Sequence, residues 1–206
     1  TRVLLRSLEF SLGNLGTALA SSSQATGSLV DLEEAIFHAR STLKVTSEES
    51  PTRHIQLHNL ASALLKRYLR NLGNLADLNE AIALSREALA CVHADHADIE
   101  TYLNRLASGL NYRHNRQGSA QDLEEGIGLS RKAMDAMQNT FTGRTVARST
   151  LAALLLKRFK AGGSMDDLAE AITASRKALS LTPEESPSRT EIWITLGDLF
   201  IRKYTH

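Results

Sequence analysis

The sequence predicts an all-α protein, folded as a right-handed α-solenoid of stacked helix-turn-helix repeats. The first observation behind this prediction is a segment Asp-Leu-x-Glu-Ala-Ile, with glycine once in place of alanine, that occurs four times. The second is that no segment alternates apolar and polar residues as a half-buried strand would. Periods of about 20–50 residues are typical of repeat architectures. The four segments begin 46, 45 and 45 residues apart, at Asp31, Asp77, Asp122 and Asp167.

The first half of each repeat has the pattern of an amphipathic helix. In the second repeat, Leu57, Leu60 and Leu64 recur at helical spacing, and the basic and aromatic segment Lys-Arg-Tyr68 follows shortly after them. This spacing places the leucines on one face, which predicts that the face is buried. A glycine then ends the helix, because glycine readily adopts the left-handed backbone that is common at helix C-termini. These glycines are Gly27, Gly73, Gly118 and Gly163.

The second half of each repeat is predicted to be a helix with a capped start. The aspartate of the recurring segment lies three positions after a short polar residue, which resembles a capping box. The polar side chain would accept a hydrogen bond from a free backbone N–H, and the carboxylate is favourable near the positive end of the helix dipole. Pro51, Pro183 and Pro187 fall in the connections between repeats, where a missing N–H is harmless. The polar residues are Ser28, Asn74, Ser119 and Ser164.

Stacking of the repeats is predicted to form one domain over residues 1–206, with four helix hairpins and the first helix of a fifth. A single hairpin cannot bury its own apolar face, so the core has to form between neighbours. A small residue recurs at one phase of the second helices, which predicts a close helix crossing where leucine would overpack at a cost of about 1–3 kcal/mol. Gly126 and Gly128 weaken the third repeat, each by roughly 1 kcal/mol relative to alanine. The small residues are Ala35, Ala81, Gly126 and Ala171.

The first helix of the fifth repeat is apolar over more than one face. It contains the segment Ile192-Trp-Ile-Thr-Leu-Gly-Asp-Leu-Phe-Ile201. Solenoids normally end in repeats with a polar outer face. We therefore expect either that the chain is a fragment of a longer protein with further repeats, or that this open C-terminal end associates with a second copy.

Composition and charge argue against several classes of protein. The chain has 24 basic and 23 acidic residues, a formal charge of +1, which argues against a nucleic-acid binder that relies on a broad basic field. Its single cysteine, Cys91, excludes an internal disulfide framework and a zinc site of several thiolates. No apolar run approaches the roughly 20 residues that span a bilayer. These features predict a cytoplasmic protein with neither a nucleic-acid nor a membrane partner.

Motifs for catalysis are not evident in the sequence. It contains no glycine-rich phosphate loop, no dinucleotide fingerprint and no Ser-His-Asp arrangement, so we expect a protein that is not an enzyme and needs no cofactor. His54 and His58 are four residues apart, and His93 and His96 follow Cys91 closely. A metal site or a reactive thiol would need further organised groups, which no compact spacing supplies. Solvated histidines and an incidental thiol are the favoured interpretation, with no metal.

The repeats resemble the tetratricopeptide repeat (TPR). The resemblance is carried by Leu57-x2-Leu60-Ala61-x2-Leu64 in the first helix and by Ala81-x6-Ala88 in the second. The departure is length, because the family repeat has about 34 residues and this one has 45 or 46. Repeats of this length are similar to the long TPR arrays of fungal proteins, which are often joined to a caspase-like CHAT protease domain or to a nucleotide-binding signalling domain.

The resemblance implies a binding groove lined by the exposed face of the first helices. Side chains there would hold a protein or peptide partner, which could be another domain of the same polypeptide. The alternative is that these residues are simply exposed to solvent and that the partner binds elsewhere. The candidate residues are Ile55, His58, Ser62, Lys66, Thr101, Asn104, Ser108, Tyr112, Ser149 and Lys157, and Phe10, Gly13, Thr17, Val146 and Ala153 belong to the same face.

Basic residues recur at the ends of the first helices, at Lys66-Arg67, Arg113, Lys157-Arg158 and Arg202-Lys203. Such a row could bind an acidic peptide or a C-terminal carboxylate. The favoured alternative is structural, with cations at helix C-termini that pair with Glu34, Glu80, Glu125 and Glu170. A second periodic set is predicted to tie successive repeats together: Arg40, Arg86, Arg131 and Arg176.

These features together predict a non-catalytic scaffold that binds a protein or peptide on its concave face. A competing hypothesis is a regulatory or sensor array within a larger CHAT-type protease or signalling NTPase. A third is a purely structural spacer.

Overall fold

The computed structural model describes residues 2–70, 74–136 and 141–205, without the side chains of residues 2–10, 12, 24, 141 and 142. These ranges contain nine α-helices and no strand, so the predicted all-α class is confirmed for the part of the chain that is described. The helices are α1 (Arg2–Thr26), α2 (Leu29–Val45), α3 (Arg53–Arg70), α4 (Leu75–Ala90), α5 (Ile99–Gln117), α6 (Ala120–Asp135), α7 (Phe141–Lys160), α8 (Met165–Leu181) and α9 (Ser188–Thr205).

The helices form two compact units, unit 1 over Thr1–Ala94 and unit 2 over Asp95–His206. In unit 1, α1 packs against α2 and α3 against α4, and α2 joins the two hairpins by packing on α3. In unit 2, α5 pairs with α6 and α7 with α8, while α7 also contacts α5, α6 and α9. Each unit is therefore a stack of helix hairpins, as the repeat predicts.

The core of each unit is built from the periodic apolar positions. Fully buried residues include Leu57, Leu60 and Leu64 of α3 and Leu78 and Ile82 of α4, and the two helices pack against each other. Each large side chain contributes about 1.5–3 kcal/mol on full burial, and it is buried only because a neighbouring helix covers it. In unit 2 one cluster extends from α6 to α9 and contains Leu123, Ile127, Leu151, Leu154, Leu155, Leu168, Ile172, Leu196 and Leu199.

The predicted caps form in three of the four second helices. The hydroxyls of Ser28 and Ser119 accept hydrogen bonds from the backbone N–H groups of Asp31 and Asp122, each at 3.2 Å. The Asn74 side chain accepts one from the N–H of Ala76 at 3.0 Å. In the fourth repeat Ser164 makes no such bond, so the cap predicted there is wrong.

The glycines at the ends of the first helices serve two different purposes. Gly27 and Gly118 have φ of 75° and 69°, the left-handed backbone that the sequence predicts. In the fourth repeat Gly162 has this conformation, with φ of 99°, instead of the predicted Gly163. A Cβ on Gly163 would lie 2.7 Å from the Arg158 carbonyl oxygen, so this glycine is needed for close approach of the backbone. The predicted Gly73 lies outside the described residues.

The predicted close crossing in the second helices is present. Ala35, Ala81 and Ala171 are buried, and Gly126 is buried at the same phase of α6. A Cβ on Gly126 would lie 3.0 Å from a methyl carbon of Leu154. Gly128, by contrast, faces open space. Of the two glycines, only Gly126 is required by packing.

Candidate functional site

An ion pair joins the two helices of the second hairpin. The Arg67 guanidinium donates to both carboxylate oxygens of Asp77, at 2.7 and 2.6 Å, and also to Glu33 on α2 at 2.6 Å. The Asp77 side chain is only 5% exposed and that of Arg67 15%. These hydrogen bonds raise the pKa of Arg67 still further above its ordinary range, so the guanidinium is permanently charged.

The same pair recurs in the next two hairpins. Arg113 donates to both oxygens of Asp122 at 2.7 Å, and Arg158 donates to Asp167 at 3.1 and 2.6 Å. The bonds from Arg158 hold the pKa of the Asp167 carboxyl below its usual range. Of the three arginines, Arg67 and Arg158 do not form the predicted pairs with Glu34, Glu80, Glu125 and Glu170. Arg113 lies close enough to Glu125 for that carboxylate to help raise its pKa, so the predicted pairing is not contradicted there. Because the donors of the three arginines are already occupied, they are poorly placed to bind an acidic ligand.

The first hairpin lacks this arginine and uses a serine instead. Ser22, nine residues before Asp31, donates to its carboxylate at 2.6 Å, and Ser28 donates to the other oxygen at 2.9 Å. These two bonds lower the pKa of Asp31. Arg70 of α3 reaches back and donates to the Ser23 hydroxyl and carbonyl, both at 2.8 Å.

Three of the four arginines of the second periodic set tie successive hairpins together, as predicted; for Arg86 this stays a prediction. Arg40 donates to Glu80 at 2.5 Å in unit 1, and Arg131 donates to both oxygens of Glu170 at 3.0 and 2.5 Å in unit 2. Arg176 instead lies over the ring of Phe200, with its guanidinium carbon 5.2 Å from the ring centre. Each of these three side chains contacts a residue of the next repeat, so their role is structural.

A groove of about 240 Å³ runs along the first helices of unit 2. Its walls come from α5, α7 and α9, and one residue of α8 lies among the lining residues. Most of its polar groups are hydroxyls, and Glu191 is the only charged residue among those that line it. The lining residues are Ser108, Asn111, Tyr112, Thr145, Val146, Ser149, Thr150, Ala153, Ser175, Ser188, Glu191, Ile192 and Thr195.

Three of the candidate residues chosen from the sequence line this groove: Ser108, Tyr112 and Ser149. Lys157 lies beside it, because its ammonium contacts the side-chain oxygen of Asn111, which lines the groove. Thr101, on the first turn of α5, is exposed and does not line the groove.

Asn104 does not lie on the exposed face where the sequence alignment places it. Its side chain is only 6% exposed, and the amide nitrogen donates to the carbonyl of Gly143 at 3.3 Å. The amide nitrogen therefore connects α5 to the start of α7, and the amide oxygen is buried without a hydrogen-bond partner among the described residues. The prediction that Asn104 binds a partner is corrected on this ground.

The remaining candidates lie on α3 of unit 1. Ile55 is exposed, and His58, Ser62 and Lys66 are partly buried. His58 and Ser62 are one helical turn apart along α3, and the distance between the His58 Nε2 and the Ser62 hydroxyl is 3.3 Å. Gly13 and Thr17 lie on α1, and the Thr17 hydroxyl donates to the Gly13 carbonyl at 2.9 Å. The side chain of Phe10 lies outside the described residues.

Ser175 is a groove residue that the sequence analysis did not identify. Its side chain is 1% exposed, and its hydroxyl has no hydrogen-bond partner among the described residues. The equivalent Ser85 in α4 donates to the Ala81 carbonyl at 2.7 Å, as helical serines commonly do. The recurrence of serine before the arginine of α4, α6 and α8 was the available signal, but sequence periodicity gives no information about its hydrogen bonds.

Lys157 should make the stability of the protein depend on pH. Burial, with a smaller contribution from nearby Lys160, lowers the pKa of Lys157 from 10.5 to about 8. Between these two values the unfolded chain keeps a proton that the folded chain has released, so stability should rise with pH and the full penalty should apply below the lower value. We expect Lys157→Met to flatten the dependence of the melting temperature on pH across this window.

The matched control for this prediction is the exposed Lys44, replaced in the same way. Lys44→Met should leave the pH dependence of the melting temperature as it is in the wild type. An unchanged slope in Lys157→Met would show that the lysine keeps its ordinary titration in the folded chain.

Other groups considered in the sequence analysis show no assembled site. Within residues 2–70, 74–136 and 141–205, no group of three or more His, Cys, Asp and Glu side chains is placed to hold a metal ion. Cys91 is a free, exposed thiol. No described helix combines the length and hydropathy that crossing a membrane requires.

The last helix presents a large apolar surface. Trp193, Ile194, Ile201 and Tyr204 are all more than half exposed on α9. The opposite face of α9 is buried through Ile192, Leu196 and Leu199. The surface is thus apolar on both sides of the helix, as the sequence predicts, and association through this end stays a prediction.

Comparison with solved structures identifies the fold. The chain is similar to the nearly identical TPR-like repeats of a Podospora anserina protein described as a kinesin light chain, with 19% sequence identity, a TM-score of 0.61, and coverage of 98% of this chain and 88% of that chain. It is also similar to MamA, with 16% identity, a TM-score of 0.51, and coverage of 89% and 94%. No family model and no curated protein matches the sequence. At these identities the likeness establishes the helical-repeat fold of TPR-like proteins.

Proposed function

We propose that the chain is a non-catalytic scaffold that binds a peptide segment of a partner protein in the groove of unit 2. The observation that carries this proposal is the lining of the groove, where three successive first helices contribute hydroxyl groups around the partnerless hydroxyl of Ser175. The formal charge of +1 favours a protein over a nucleic acid as the partner.

The polar groups of the groove suit a peptide backbone. An extended peptide presents one N–H and one C=O per residue, and a hydroxyl can both donate and accept a hydrogen bond. A buried polar group that lacks a partner is costly, so a ligand that hydrogen-bonds to Ser175 would recover part of that cost. Val146, Ala153 and Ile192 supply apolar contacts between the hydroxyls.

The same lining is poorly suited to catalysis. A serine nucleophile needs a base within hydrogen-bond reach. The residues that line the groove include no histidine or lysine, and no described hydroxyl of the lining donates to the carboxylate of Glu191. The Ser149 hydroxyl donates to the Val146 carbonyl at 3.1 Å, and that of Thr195 to the Glu191 carbonyl at 3.0 Å. A hydroxyl that donates to its own helix in this way can still accept a hydrogen bond from a ligand, but it is not positioned as a nucleophile.

The proposal is tested by blocking the groove. Peptides of about a dozen residues, enough to span several helices in extended form, would be selected on the full chain from a displayed random library. Ala153→Arg places a long charged side chain in the groove, so the selected peptides that occupy the groove should bind at least roughly tenfold more weakly. Gln121→Arg, at an exposed position of α6 outside the groove, is the matched control and should bind like the wild type. If every selected peptide bound Ala153→Arg as tightly as the wild type, the proposal would be contradicted.

A further inference from the structure

A second cleft lies on unit 2, away from the groove. Helix α7 packs against both α6 and α8, whose backbones make no close approach to each other in the described parts of the chain. The space between them has a volume of about 750 Å³. That is within the range of pockets that hold small ligands or anchoring side chains. Its lining residues are Met134, Arg148, Leu151, Ala169, Glu170, Thr173, Ala174, Arg176, Lys177 and Ser180.

The cleft exists because two residues depart from the repeat pattern at the same place. Arg148 of α7 takes the position that Leu57 holds in α3 and Leu103 in α5, where both leucines are buried. Ala174 of α8 takes the position of Leu84 in α4 and Leu129 in α6. Arg148 puts a charged side chain where the other repeats have an apolar one, and Ala174 puts a smaller side chain where they have leucine. At these two positions the fourth repeat therefore has a basic residue and a smaller side chain where the second and third have leucines.

The cations that line the cleft make no ion pair with a carboxylate of the described residues. Arg148 donates to the Arg144 carbonyl at 3.2 Å and makes no ion pair with any described carboxylate, and Lys177 is exposed and makes none either. The one acidic residue that lines the cleft, Glu170, is already bound to Arg131 at 2.5 Å. Burial, followed by nearby Arg144, lowers the pKa of Arg148, and the Glu100 carboxylate opposes this lowering.

The floor of the cleft is apolar. Leu151 and Ala174 are buried in the core cluster, and Met134 packs partly buried against the same cluster. A methionine at this position is adaptable to different apolar partners. Cations beside an apolar floor match an occupant that carries both carboxylates and apolar side chains.

We propose that this cleft binds an acidic peptide segment of a partner protein, with carboxylates paired to Arg148 and Lys177 and an apolar side chain seated on Met134, Leu151 and Ala174. A planar guanidinium such as that of Arg148 can bind a carboxylate through two parallel hydrogen bonds. The site is separate from the hydroxyl-lined groove, because the two share no lining residue.

Peptides selected on the full chain from the same displayed library supply the test. We expect a class that combines Asp or Glu with Leu, Ile, Met or Phe, and whose binding is unaffected by Ala153→Arg in the groove. Replacement of the acidic residues of these peptides by Asn and Gln should weaken binding at least about tenfold. A selection that yields no acidic and apolar class would overturn the proposal.

Variants of the protein locate the site. Arg148→Leu with Ala174→Leu restores the residues found in the other repeats, and it should abolish measurable binding of the acidic peptides in calorimetry. Lys177→Glu changes only an exposed side chain and should weaken binding about tenfold even if the double variant folds poorly. The matched control is Lys132→Glu, the exposed lysine at the same position of α6, which should bind like the wild type. Equal effects of Lys177→Glu and Lys132→Glu would refute the assignment of the cleft.

Discussion

Replacement of Asp77 by alanine is expected to lower the free energy of unfolding by about 3–5 kcal/mol. The change leaves the Arg67 guanidinium without its principal partner in a place where only 15% of its side chain meets water. Glu33, whose side chain is 53% exposed, still accepts one hydrogen bond from Arg67. A charge that is removed from solvent and only partly compensated is more costly than the pair that it came from. The loss would be measured by urea unfolding followed with far-UV circular dichroism.

Two further variants show whether burial causes this effect. The Arg40–Glu80 pair is 44% and 39% exposed, so Arg40→Ala should cost only about 0–1 kcal/mol. The double change Arg67→Met with Asp77→Ala removes both charges, and it should recover most of the stability lost by Asp77→Ala alone. Equal losses from Asp77→Ala and Arg40→Ala would show that the buried pair has no special importance.

Gly126→Leu is expected to destabilise unit 2 by about 1–3 kcal/mol. A Cβ at this position already comes within 3.0 Å of Leu154, which is fully buried, and the rest of a leucine side chain would have to displace it. The higher helix propensity of leucine, up to about 1 kcal/mol over glycine, opposes this loss and does not remove the clash. The melting temperature is the measurement.

Gly128→Ala is the matched control two residues further along α6. No atom lies within contact distance of a Cβ there, so the substitution should raise stability by about 0.5–1 kcal/mol through helix propensity alone. If Gly126→Leu and Gly128→Ala both stabilise the protein, the close crossing of α6 with its neighbour is not a constraint on sequence.

The helices could be predicted from sequence because each depends on local signals. Ser28 and Asp31 mark the start of α2 as its capping residues, and the glycine that ends α1 lies directly before Ser28. In the fourth repeat the local signals do not predict which glycine takes the left-handed backbone, because Gly162 and Gly163 are adjacent and either could adopt it. The two glycines have different roles because the Arg158 carbonyl comes close to Gly163, a contact that is visible only in the folded structure.

The site was less predictable, because it depends on the direction in which side chains point between helices. Alignment placed Asn104 on an exposed face, but the start of α7 covers it and Gly143 accepts its hydrogen bond. Ser108, Tyr112 and Ser149 line the groove, and their binding of a partner stays a prediction. The pairing of Arg67 with Asp77 was missed, although the arginine precedes the aspartate by nine or ten residues in three repeats.

The ion pairs within and between hairpins differ greatly in chain separation. Arg67 and Asp77 are ten residues apart, whereas Arg40 and Glu80 are forty apart. Closing a short loop costs less entropy than closing a long one. During synthesis on the ribosome, we therefore expect each hairpin to close as soon as its own residues emerge, and each connection to the next repeat to form only after that repeat has been translated.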